Sequence, residues 1–304
     1  MPRSPRLEVD VDGRQLSLSN LGKVLYPQAG FTKGQVIDYY TRVAPALLPH
    51  LRGRPLTLKR YPNGVEGQFF YEKQCPKHRP DWVRTAMIRM RGEKAIDFCL
   101  CDDLPTLVWA ANLADLELHP SLALAADVTS PTILAFDLDP GPPATIVECA
   151  DVAVRLRAAL DHLGLQAFPK TSGSKGMQVY VPLNTPTSYD VTKPFARALA
   201  QVLERTDPDL VVSDMKKSLR GGKVLVDWSQ NDEHKTTVGV YSLRARERPT
   251  VSTPITWDEV EAVRVSRDPD DLVFTSDQVL ARIAEHGDLF AGVASLEQTL
   301  PRLA

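Results

Sequence analysis

The chain has 304 residues, of which 43% are hydrophobic and 24% are charged, and its formal net charge is −2. A chain of this length can bury a sizeable core as one large domain or two medium ones. It contains no run of about 18 apolar residues that could span a membrane and no leader sequence, so we expect a cytoplasmic protein with no membrane partner.

The charges are unevenly distributed along the chain. Residues 52–91 carry ten Lys or Arg and three Asp or Glu, whereas residues 92–162 carry three and twelve. Residues 216–248 are basic again, with eight Lys or Arg and four Asp or Glu. This pattern is typical of a protein with a phosphate-binding side and an acidic metal site, although a solvated mosaic of charges would also produce it.

The N-terminal part of the chain contains short segments of helix and strand. Residues 1–13 have few apolar side chains and are predicted to be frayed, and Thr32 is predicted to cap a helix from Lys33 to Leu51. Further on, the sequence predicts strands over Leu56–Arg60 and Gln68–Glu72, a hairpin over 85–100 that turns near Arg91-Gly92, and a helix over Leu104–Leu116.

From residue 132 onward, strands and helices alternate. The apolar run from Ile133 to Phe136, stopped by Pro140-Gly141, predicts a buried strand. The other predicted elements are helices over Thr145–Leu163, Asp190–Arg205, Trp257–Val263 and Ser276–His286, and strands over Met177–Val181, Lys223–Trp228 and Thr236–Ser242. This order predicts an α/β or α+β core, onto which the earlier residues pack as a subdomain.

Three carboxylates stand near the ends of predicted buried strands. Asp137 and Asp139 are two residues apart, so they project from the same face of their strand, and Asp227 closes the strand that begins at Lys223. Three such carboxylates can hold two divalent cations roughly 3.5–4 Å apart, as in phosphoryl displacement. A solvated acidic turn is the alternative for any one of them.

Two short segments could bind the phosphates of a nucleotide. The loop from Thr171 to Gly176 is rich in small residues that let backbone N–H groups approach an anion, and Lys175 adds a charge. It lacks the Walker A spacing, and a plain Gly-Ser hairpin loop would look similar. Lys216–Arg220 supplies further cations, so a triphosphate held by Ser172, Lys175 and Arg220 would account for these residues together.

The chain has four cysteines, which are Cys75, Cys99, Cys101 and Cys149. Cys75, His78, Cys99 and Cys101 could in principle close around zinc. The Cys-x-Cys spacing is unusual for a structural zinc site, which favours reduced buried thiols as the alternative.

Five motifs, in this order and spacing, resemble the polymerase domain of bacterial ligase D, a member of the archaeo-eukaryotic primase superfamily: FDLDP, TSGSKG, KSLRGGKV, VDWSQN and YSLRAR. LGKVLYP, RPLTLKRYPNGVEGQFFYEK and His119-Pro120 match it too, so the resemblance covers roughly Leu18 to Leu289. It implies an α+β fold with a primase-like catalytic core, an RRM-like antiparallel sheet with helices, and a packed N-terminal α/β subdomain.

The resemblance also implies how the chain is divided. One primase-polymerase domain is expected over 1–304. Within it, residues 1–130 would form the N-terminal subdomain with DNA-binding elements, 131–250 the catalytic core and 251–304 the C-terminal helices. No ligase or nuclease domain is present in this sequence, so a stand-alone primase-polymerase is expected.

The resemblance assigns roles to individual residues. The catalytic metal ligands would be Asp137, Asp139 and Asp227. The incoming nucleotide would be bound through its triphosphate by His119, Ser172, Lys175 and Arg220, near its sugar by Lys59, and otherwise by Gln230, Arg244 and Arg246. The template base would stack on Phe70 and Tyr71.

The resemblance also points to a pocket for the 5′-phosphate across a DNA gap, formed by Asn20, Lys23 and Lys33. The start of the helix at Lys33 would offer free N–H groups and a partial positive charge, which suit an anion. Without the resemblance, both lysines would be read as solvated surface charges.

The implied activity is template-dependent nucleotide addition at short gaps or broken DNA ends during repair, with ribonucleotides preferred over deoxyribonucleotides. The implied cofactors are two ions of Mn²⁺ or Mg²⁺. The implied partners are gapped or broken DNA with a 5′-phosphate, nucleoside triphosphates, a separate DNA ligase and an end-binding protein, which places the protein at the nucleoid.

Two other functions fit part of the pattern. A metal-dependent nuclease or phosphohydrolase would use the same carboxylates, but it would not need the triphosphate-binding cations. A non-catalytic module that binds DNA ends would need neither, and the retention of all three carboxylates argues against it.

Overall fold

The computed structural model describes residues 6–92 and 94–302, which form two compact units. The first unit runs to Ser121 and includes Val238–Val251 and Thr275–Gly287. The second unit consists of Leu122–Thr237, Ser252–Phe274 and the residues from Asp288 onward. The predicted division of the chain near residues 130 and 250 stays a prediction.

The strands are β1 (Arg6–Val11), β2 (Arg14–Ser19), β3 (Val24–Tyr26), β4 (Phe31–Thr32), β5 (Pro55–Arg60), β6 (Phe70–Glu72), β7 (Thr85–Ile88), β8 (Ile96–Leu100), β9 (Asp115–Pro120), β10 (Ala123–Leu124), β11 (Asp127–Pro131), β12 (Ile133–Pro140), β13 (Phe168–Thr171), β14 (Met177–Pro182), β15 (Val211–Val212) and β16 (Val224–Asp227). The α-helices are α1 (Lys33–Leu51), α2 (Leu104–Asn112), α3 (Ile146–His162), α4 (Tyr189–Thr206), α5 (Trp257–Ser266), α6 (Ser276–His286) and α7 (Ala291–Ser295). Short 3₁₀ helices span Pro27–Ala29, Lys217–Leu219, Trp228–Gln230 and Pro269–Leu272.

The first unit begins with a hairpin that the sequence analysis missed. β1 pairs antiparallel with β2 through a turn at Asp12-Gly13, where both residues have positive φ angles of 50° and 77°. Asp-Gly is a strong signal for such a two-residue turn. The prediction that this region frays is therefore wrong from Arg6 onward, and residues 1–5 lie outside the described part of the chain.

Helix α1 confirms the predicted helix from Lys33 to Leu51. The Thr32 hydroxyl accepts a hydrogen bond from the Gln35 backbone, and the Gln35 side chain accepts one from the Thr32 backbone, which forms a capping box. The Tyr40 hydroxyl, buried on the apolar face of the helix, donates to the Leu116 carbonyl at 2.7 Å. This bond fixes β9 against α1.

The helix predicted over Leu104–Leu116 overlaps the first two residues of strand β9, which was not predicted as a strand. Helix α2 stops at Asn112, and Ala114 adopts a positive φ of 58°, which turns the chain into β9. β9 then pairs antiparallel with β5, while β6 and β8 also pair with β5 in the same sheet. Its sequence, Asp-Leu-Glu-Leu-His-Pro, alternates polar and apolar side chains, although every residue of the strand is buried.

The second unit is built on a sheet with strand order β13-β14-β12-β16-β15. β12 lies between β14 and β16 and is antiparallel to both. Leu134, Phe136 and Leu138 of β12 are fully buried in a core formed with helices α3 and α4. The opposite face of β12 therefore carries its odd-numbered residues.

The other helix predictions in the second unit are confirmed by α3, α4 and α5. The predicted strand over Thr236–Ser242 is wrong. Val238 and Val240 are buried there as the pattern required, but Tyr241 has a φ of 62°, which breaks an extended chain. No helix within residues 6–92 and 94–302 is long and apolar enough to cross a membrane.

Cys75 and Cys99 form a disulfide, with their Cα atoms 5.0 Å apart. The expectation of reduced thiols is therefore wrong for this pair, and their sulfurs are not available to zinc in this state. Cys101 and Cys149 are buried thiols, as expected. The sequence could not reveal the pairing, because 24 residues separate the two cysteines and only the fold of β8 brings them together.

Candidate functional site

The three predicted metal ligands share one face of the second unit's sheet. Asp137 of β12 lies directly opposite Asp227 of β16 in the antiparallel ladder. Directly opposed residues project to the same side, and Asp139 follows on that side two residues later. Asp139 is exposed, Asp137 is partly buried and Asp227 is buried. The structure thus brings these carboxylates together at the end of β12.

The same face continues across the sheet as a row of polar side chains. Lys170 of β13 is opposite Gln178 of β14, Gln178 is opposite Asp137, and Asp137 is opposite Asp227. The Gln178 amide donates to Asp137 Oδ1 at 3.1 Å and to Thr237 Oγ1 at 2.8 Å. Lys170 and Gln178 were missed by the sequence analysis, because only the strand register aligns them with Asp137.

Asp227 is held by the residues that follow it. The Ser229 backbone N–H and hydroxyl donate to Asp227 Oδ1 at 2.8 Å and 2.6 Å. Gln230, predicted to bind the nucleotide, donates its side-chain amide to Asp227 Oδ2 at 2.8 Å. Both carboxylate oxygens therefore have hydrogen bonds, which fixes their direction.

Burial, together with the negative charges of Asp139 and Asp227, raises the pKa of Asp137 to about 7. Within residues 6–92 and 94–302, no three His, Cys, Asp or Glu side chains converge closely enough to hold a metal ion as they stand. The donor set nevertheless fits a hard divalent cation, which prefers carboxylate oxygens and would relieve this repulsion.

Asn231 is a second residue that the sequence analysis missed. Its fully buried side chain accepts from the Ala135 N–H at 2.9 Å and donates to the Ala135 carbonyl at 2.7 Å. Ala135 lies on β12 beyond the last ladder pair with β16, so the side chain replaces a strand partner there. Asn231 thereby anchors the Asp227 segment to the strand that carries Asp137.

The loop between β13 and β14 is pressed against β12. Ser172 Oγ accepts hydrogen bonds from the N–H groups of Ser174 and Gly176, both at 3.2 Å. A Cβ on Gly176 would lie 2.0 Å from the Leu138 carbonyl oxygen, so only glycine fits. Lys175 is exposed at this loop. Ser172 and Lys175 are therefore fixed beside the residue that precedes Asp139.

Arg220 lies on the other side of the same strand end. A Cβ on Gly141 would lie 1.9 Å from the Arg220 carbonyl oxygen, and the Gly222 N–H donates to the Gly141 carbonyl at 3.1 Å. The Arg220 guanidinium donates to the Met215 carbonyl at 2.6 Å, whereas its Nε is buried and has no partner within the described residues. An unpaired buried N–H of this kind suits an anionic ligand.

In the first unit, a second group of predicted residues surrounds Glu117. Lys59 Nζ and His119 Nε2 each lie 3.0 Å from Glu117 Oε2. Arg244 Nε lies 3.5 Å from Oε1, and the Ala245 N–H donates to Oε1 at 3.1 Å. The structure thus brings Lys59, His119 and Arg244 together around a glutamate that the sequence analysis did not select.

The electrostatics of this group differ from those at the face of the sheet that carries Asp137, Asp139 and Asp227, which we call the acid face. Burial would raise the pKa of Glu117, but the hydrogen bond from His119 and the charges of Arg244, His119 and Lys59 hold it below its ordinary value. Burial lowers the pKa of His119, against the opposing effect of Glu117. Arg246, also predicted to bind the nucleotide, is exposed and follows Ala245.

The predicted template-stacking residues lie on different faces of the hairpin formed by β5 and β6. Tyr71 is opposite Lys59, and its ring centroid lies 5.3 Å from Lys59 Nζ. Phe70 is opposite Arg60, on the other face, and its side chain is 54% exposed. Phe69, which was not selected, lies 5.7 Å from the Tyr71 ring and 4.8 Å from Lys59 Nζ.

Asn20, Lys23 and Lys33 lie together at the start of α1. Lys23 Nζ donates to the Pro62 carbonyl at 2.5 Å and the Asn63 side chain at 3.2 Å. Lys33 Nζ, which is buried, donates to the Ser19 carbonyl at 2.6 Å. The Lys23 N–H donates to the Asn20 carbonyl at 2.9 Å, which closes the turn between them.

The expected free N–H groups at this helix start are not present, so that part of the prediction is wrong. The N–H groups of Lys33 and Gly34 donate to the carbonyls of Lys23 and Leu21, both at 2.8 Å. The Gln35 N–H donates to the Thr32 hydroxyl. The ammonium groups, rather than backbone donors, remain as the groups suited to an anion. Burial, together with the positive charge of Lys23, lowers the pKa of Lys33 to about 8.

Comparison with known sequences gives one family. A family model described as LigD, primase-polymerase domain, matches residues 32–290. The multifunctional non-homologous end joining protein LigD of Mycolicibacterium smegmatis is 42% identical over 279 residues, which are 91% of this chain and 36% of that protein. The bifunctional non-homologous end joining protein LigD of Bacillus subtilis is 31% identical over 274 residues, 90% of this chain and 43% of that protein. The chain spans less than half the length of these relatives.

Comparison with solved structures agrees. The polymerase domain from Mycobacterium tuberculosis ligase D in complex with DNA has a TM-score of 0.86 and 41% sequence identity to this chain. The match covers 93% of this chain and 99% of that domain. It confirms the predicted α+β fold class.

Proposed function

Because this chain belongs to the LigD primase-polymerase domain family, a family of metal-dependent nucleotidyltransferases, we propose that it is a template-dependent polymerase that adds nucleotides at short gaps or broken DNA ends during end joining or gap filling. The family prediction made from the sequence motifs is thereby confirmed. The relatives carry the name of end-joining proteins, and the solved domain is a complex with DNA, which supports this proposal.

The observation that carries the proposal is the arrangement at the end of β12. Asp137, Asp139 and Asp227 share one face, and the loops of Ser172 and Arg220 pack against the same strand end on either side. An acidic face flanked by anion-binding groups suits a substrate that is itself a metal-bound polyphosphate. A phosphohydrolase acting on a single phosphate would not need both flanking loops.

We propose that the three carboxylates hold two divalent cations, Mn²⁺ or Mg²⁺. When bound, such ions activate the attacking hydroxyl and stabilise the charge that develops on the leaving pyrophosphate. The protein's own part is to keep the carboxylates directed. Gln178 fixes Asp137, and Ser229 and Gln230 fix both oxygens of Asp227.

We assign the remaining residues by their chemistry and by the family resemblance. Ser172, Lys175 and Arg220 would bind the triphosphate. Lys59 would lie near the sugar, and His119, Gln230, Arg244 and Arg246 would complete the nucleotide site. Phe70 and Tyr71 are proposed to stack on the template. Their side chains lie on different faces of the hairpin formed by β5 and β6, so a single template base can stack on only one of them. Base stacking on an aromatic ring contributes ~1–3 kcal/mol for any base.

Asn20, Lys23 and Lys33 are proposed to bind the 5′-phosphate across a gap. Each ammonium has three donors, and its hydrogen bonds to other residues among 6–92 and 94–302 engage at most two of them. One donor on each side chain therefore remains for phosphate oxygens. A preference for ribonucleotides, a separate ligase and end-binding protein as partners, and a place at the nucleoid belong to this proposal as well.

A primer-extension assay on gapped DNA tests the proposed function. A labelled primer should lengthen only when template, nucleoside triphosphate and Mn²⁺ or Mg²⁺ are all present, and Asp137→Asn should abolish the product. A shortened primer would instead indicate a nuclease. An unchanged primer together with tight binding to the DNA end would indicate a non-catalytic end-binding module.

A further inference from the structure

Glu117 occupies the centre of the basic cluster, yet neither the motifs nor the proposed mechanism gives it a role. Its side chain is only 3% exposed. It is contacted by the side chains of Lys59, Tyr61, His119 and Arg244 and by the backbone of Ala245. Removing this carboxylate from water costs desolvation free energy, and its partners offset that cost.

The two oxygens of Glu117 serve different parts of the unit. Oε2 accepts from Lys59 and His119 at 3.0 Å each, and these residues come from β5 and β9. Oε1 faces the segment at Arg244, with the Ala245 N–H at 3.1 Å and Arg244 Nε at 3.5 Å. One planar group therefore sets the spacing between the paired strands and this segment.

Two cations stand beside the Glu117 carboxylate, namely Lys59 and Arg244. Glu117 stays ionised because its pKa is held below its ordinary value. The Lys59 ammonium is also placed among the rings of Tyr61, Phe69 and Tyr71, at 4.8–5.4 Å from their centroids.

We propose that Glu117 is a positioning residue, which holds Lys59, His119 and Arg244 in the arrangement that binds the anionic nucleotide. This inference rests on the proposed function, in which these three residues contact the incoming nucleotide. The glutamate does not touch the substrate; it sets in advance the geometry of the groups that do, so that binding need not order them.

Glu117→Gln separates this role from a purely structural one. Glutamine keeps the shape of the side chain, but its amide nitrogen cannot accept, so one side of the cluster loses its acceptor. We expect the KM for the nucleoside triphosphate to rise about tenfold, while kcat and the Kd for primer–template change less than twofold. A net gain of positive charge alone would lower the KM, so the direction of the change is informative.

Asp115 provides a matched control. It lies two residues earlier on β9 and is fully buried. Burial raises its pKa well above the ordinary value. Asp115→Asn is therefore a change of similar size on the same strand that leaves the Glu117 contacts in place, and we expect the KM to stay within twofold of wild type.

The titration of His119, followed by NMR of the labelled imidazole, gives a readout that needs no turnover. The groups facing the ring are Glu117, Lys59, Arg244 and Tyr71. Because Glu117 is the group that favours the imidazolium, Glu117→Gln should shift the His119 titration to lower pH, and Asp115→Asn should leave it nearly unchanged. If Glu117→Gln does not fold, Tyr61→Phe removes one hydrogen bond to the same carboxylate and should raise the KM by more than the twofold range expected for Asp115→Asn.

An unchanged or lower KM in Glu117→Gln, or an equal rise in Asp115→Asn, would overturn the positioning role. Failure of the proposed function would look different, because the wild type would then extend no primer under any condition. In that case nucleotide binding by calorimetry, with the same pair of variants, still decides whether Glu117 orders the basic cluster.

Discussion

The acid face of β12 and the cluster around Glu117 handle buried negative charge in opposite ways. At the acid face, the hydrogen-bond partners of Asp137 and Asp227 are neutral amides and hydroxyls, and Lys170 stands beyond Gln178 in the row. Around Glu117, the partners include two cations, Lys59 and Arg244. The pKa of Asp137 is accordingly raised, whereas that of Glu117 is lowered.

This difference indicates what each region binds. Ionised groups are removed from water at a cost, and within a protein the cost is offset by opposite charge. The raised pKa of Asp137 shows that its surroundings disfavour the ionised form, so the acid face suits added cations. Around Glu117, two cations stand beside one carboxylate, so this cluster suits an added anion.

The largest expected effect comes from removing acids at the acid face. Asp137→Ala, Asp139→Ala or Asp227→Ala should each reduce nucleotide addition to background, a loss of at least about a thousandfold, because a metal ligand is lost. Primer extension on gapped DNA with Mn²⁺ measures it. Any one of these variants that extends primers at near the wild-type rate would remove that residue from the metal site.

Asp137 also allows a test of the protein's stability in the absence of metal. The pKa of Asp137 in the folded protein, about 7, is above the unfolded value of about 3.9, so its contribution to stability falls as pH rises from 4 to 7 and stays low above that. Asp137→Asn removes this penalty. With a chelator present, its Tm should match or exceed that of wild type at pH 8, and the gain should vanish at pH 4. A Tm below that of wild type at pH 8 would contradict the raised pKa of Asp137, and with it the difference from Glu117.

The next expected effect is a preference for ribonucleotides over deoxyribonucleotides, which depends on the Glu117 cluster. Lys59 is fixed by Glu117 and three rings. If it donates to a ribose hydroxyl, as proposed, it cannot move away when that hydroxyl is missing. A polar group left unpaired in this way disfavours the analogue. We expect kcat/KM to favour ribonucleotides over deoxyribonucleotides by roughly tenfold or more. Equal values for the two would contradict this role for Lys59.

The chemistry of both regions could be predicted in part from the sequence. Asp137, Asp139 and Asp227 could be found because each ends an apolar strand. Gln178 and Lys170 could not, because an isolated Gln or Lys in a strand has no signal until the register aligns it with Asp137. The hydrogen bonds of Asn231 to Ala135 likewise join residues 96 apart.

Glu117 was missed for a different reason. The helix signal of α2 ran on into β9, so the strand that carries Glu117 and His119 was not recognised. Without β9 there is no reason to pair Glu117 with Lys59 on β5. The helix α1, in contrast, was predicted with its correct ends, because its capping box and its apolar period are both local features.

Lys23 and Lys33 form a third charged region. Lys23 and Lys33 approach each other closely enough for their charges to interact, and their hydrogen-bond acceptors are carbonyl, hydroxyl and amide oxygens. A downstream 5′-phosphate should therefore tighten binding to gapped DNA more than tenfold, or about 1.4 kcal/mol. Lys23→Ala should remove this preference and leave extension of a simple primer–template largely unchanged. Equal Kd values for phosphorylated and unphosphorylated gaps in the wild type would rule out the pocket.

The smallest expected effect is the pH dependence of that preference. The pKa of Lys33 is lowered to about 8 by burial and by Lys23, so its charge is present below that pH and is lost as pH rises through it. The second pKa of a phosphate monoester is about 6, so the ligand keeps its charge over the same range. The ratio of the two Kd values should therefore be constant near pH 7 and fall several-fold by pH 9, with a midpoint somewhat above 8 because bound phosphate favours the ammonium. Salt is held fixed, and the unphosphorylated gap cancels the general pH dependence of DNA binding. A ratio that stays constant to pH 9 would show that Lys33 does not contact the phosphate, and the pocket would then rest on Lys23 and Asn20.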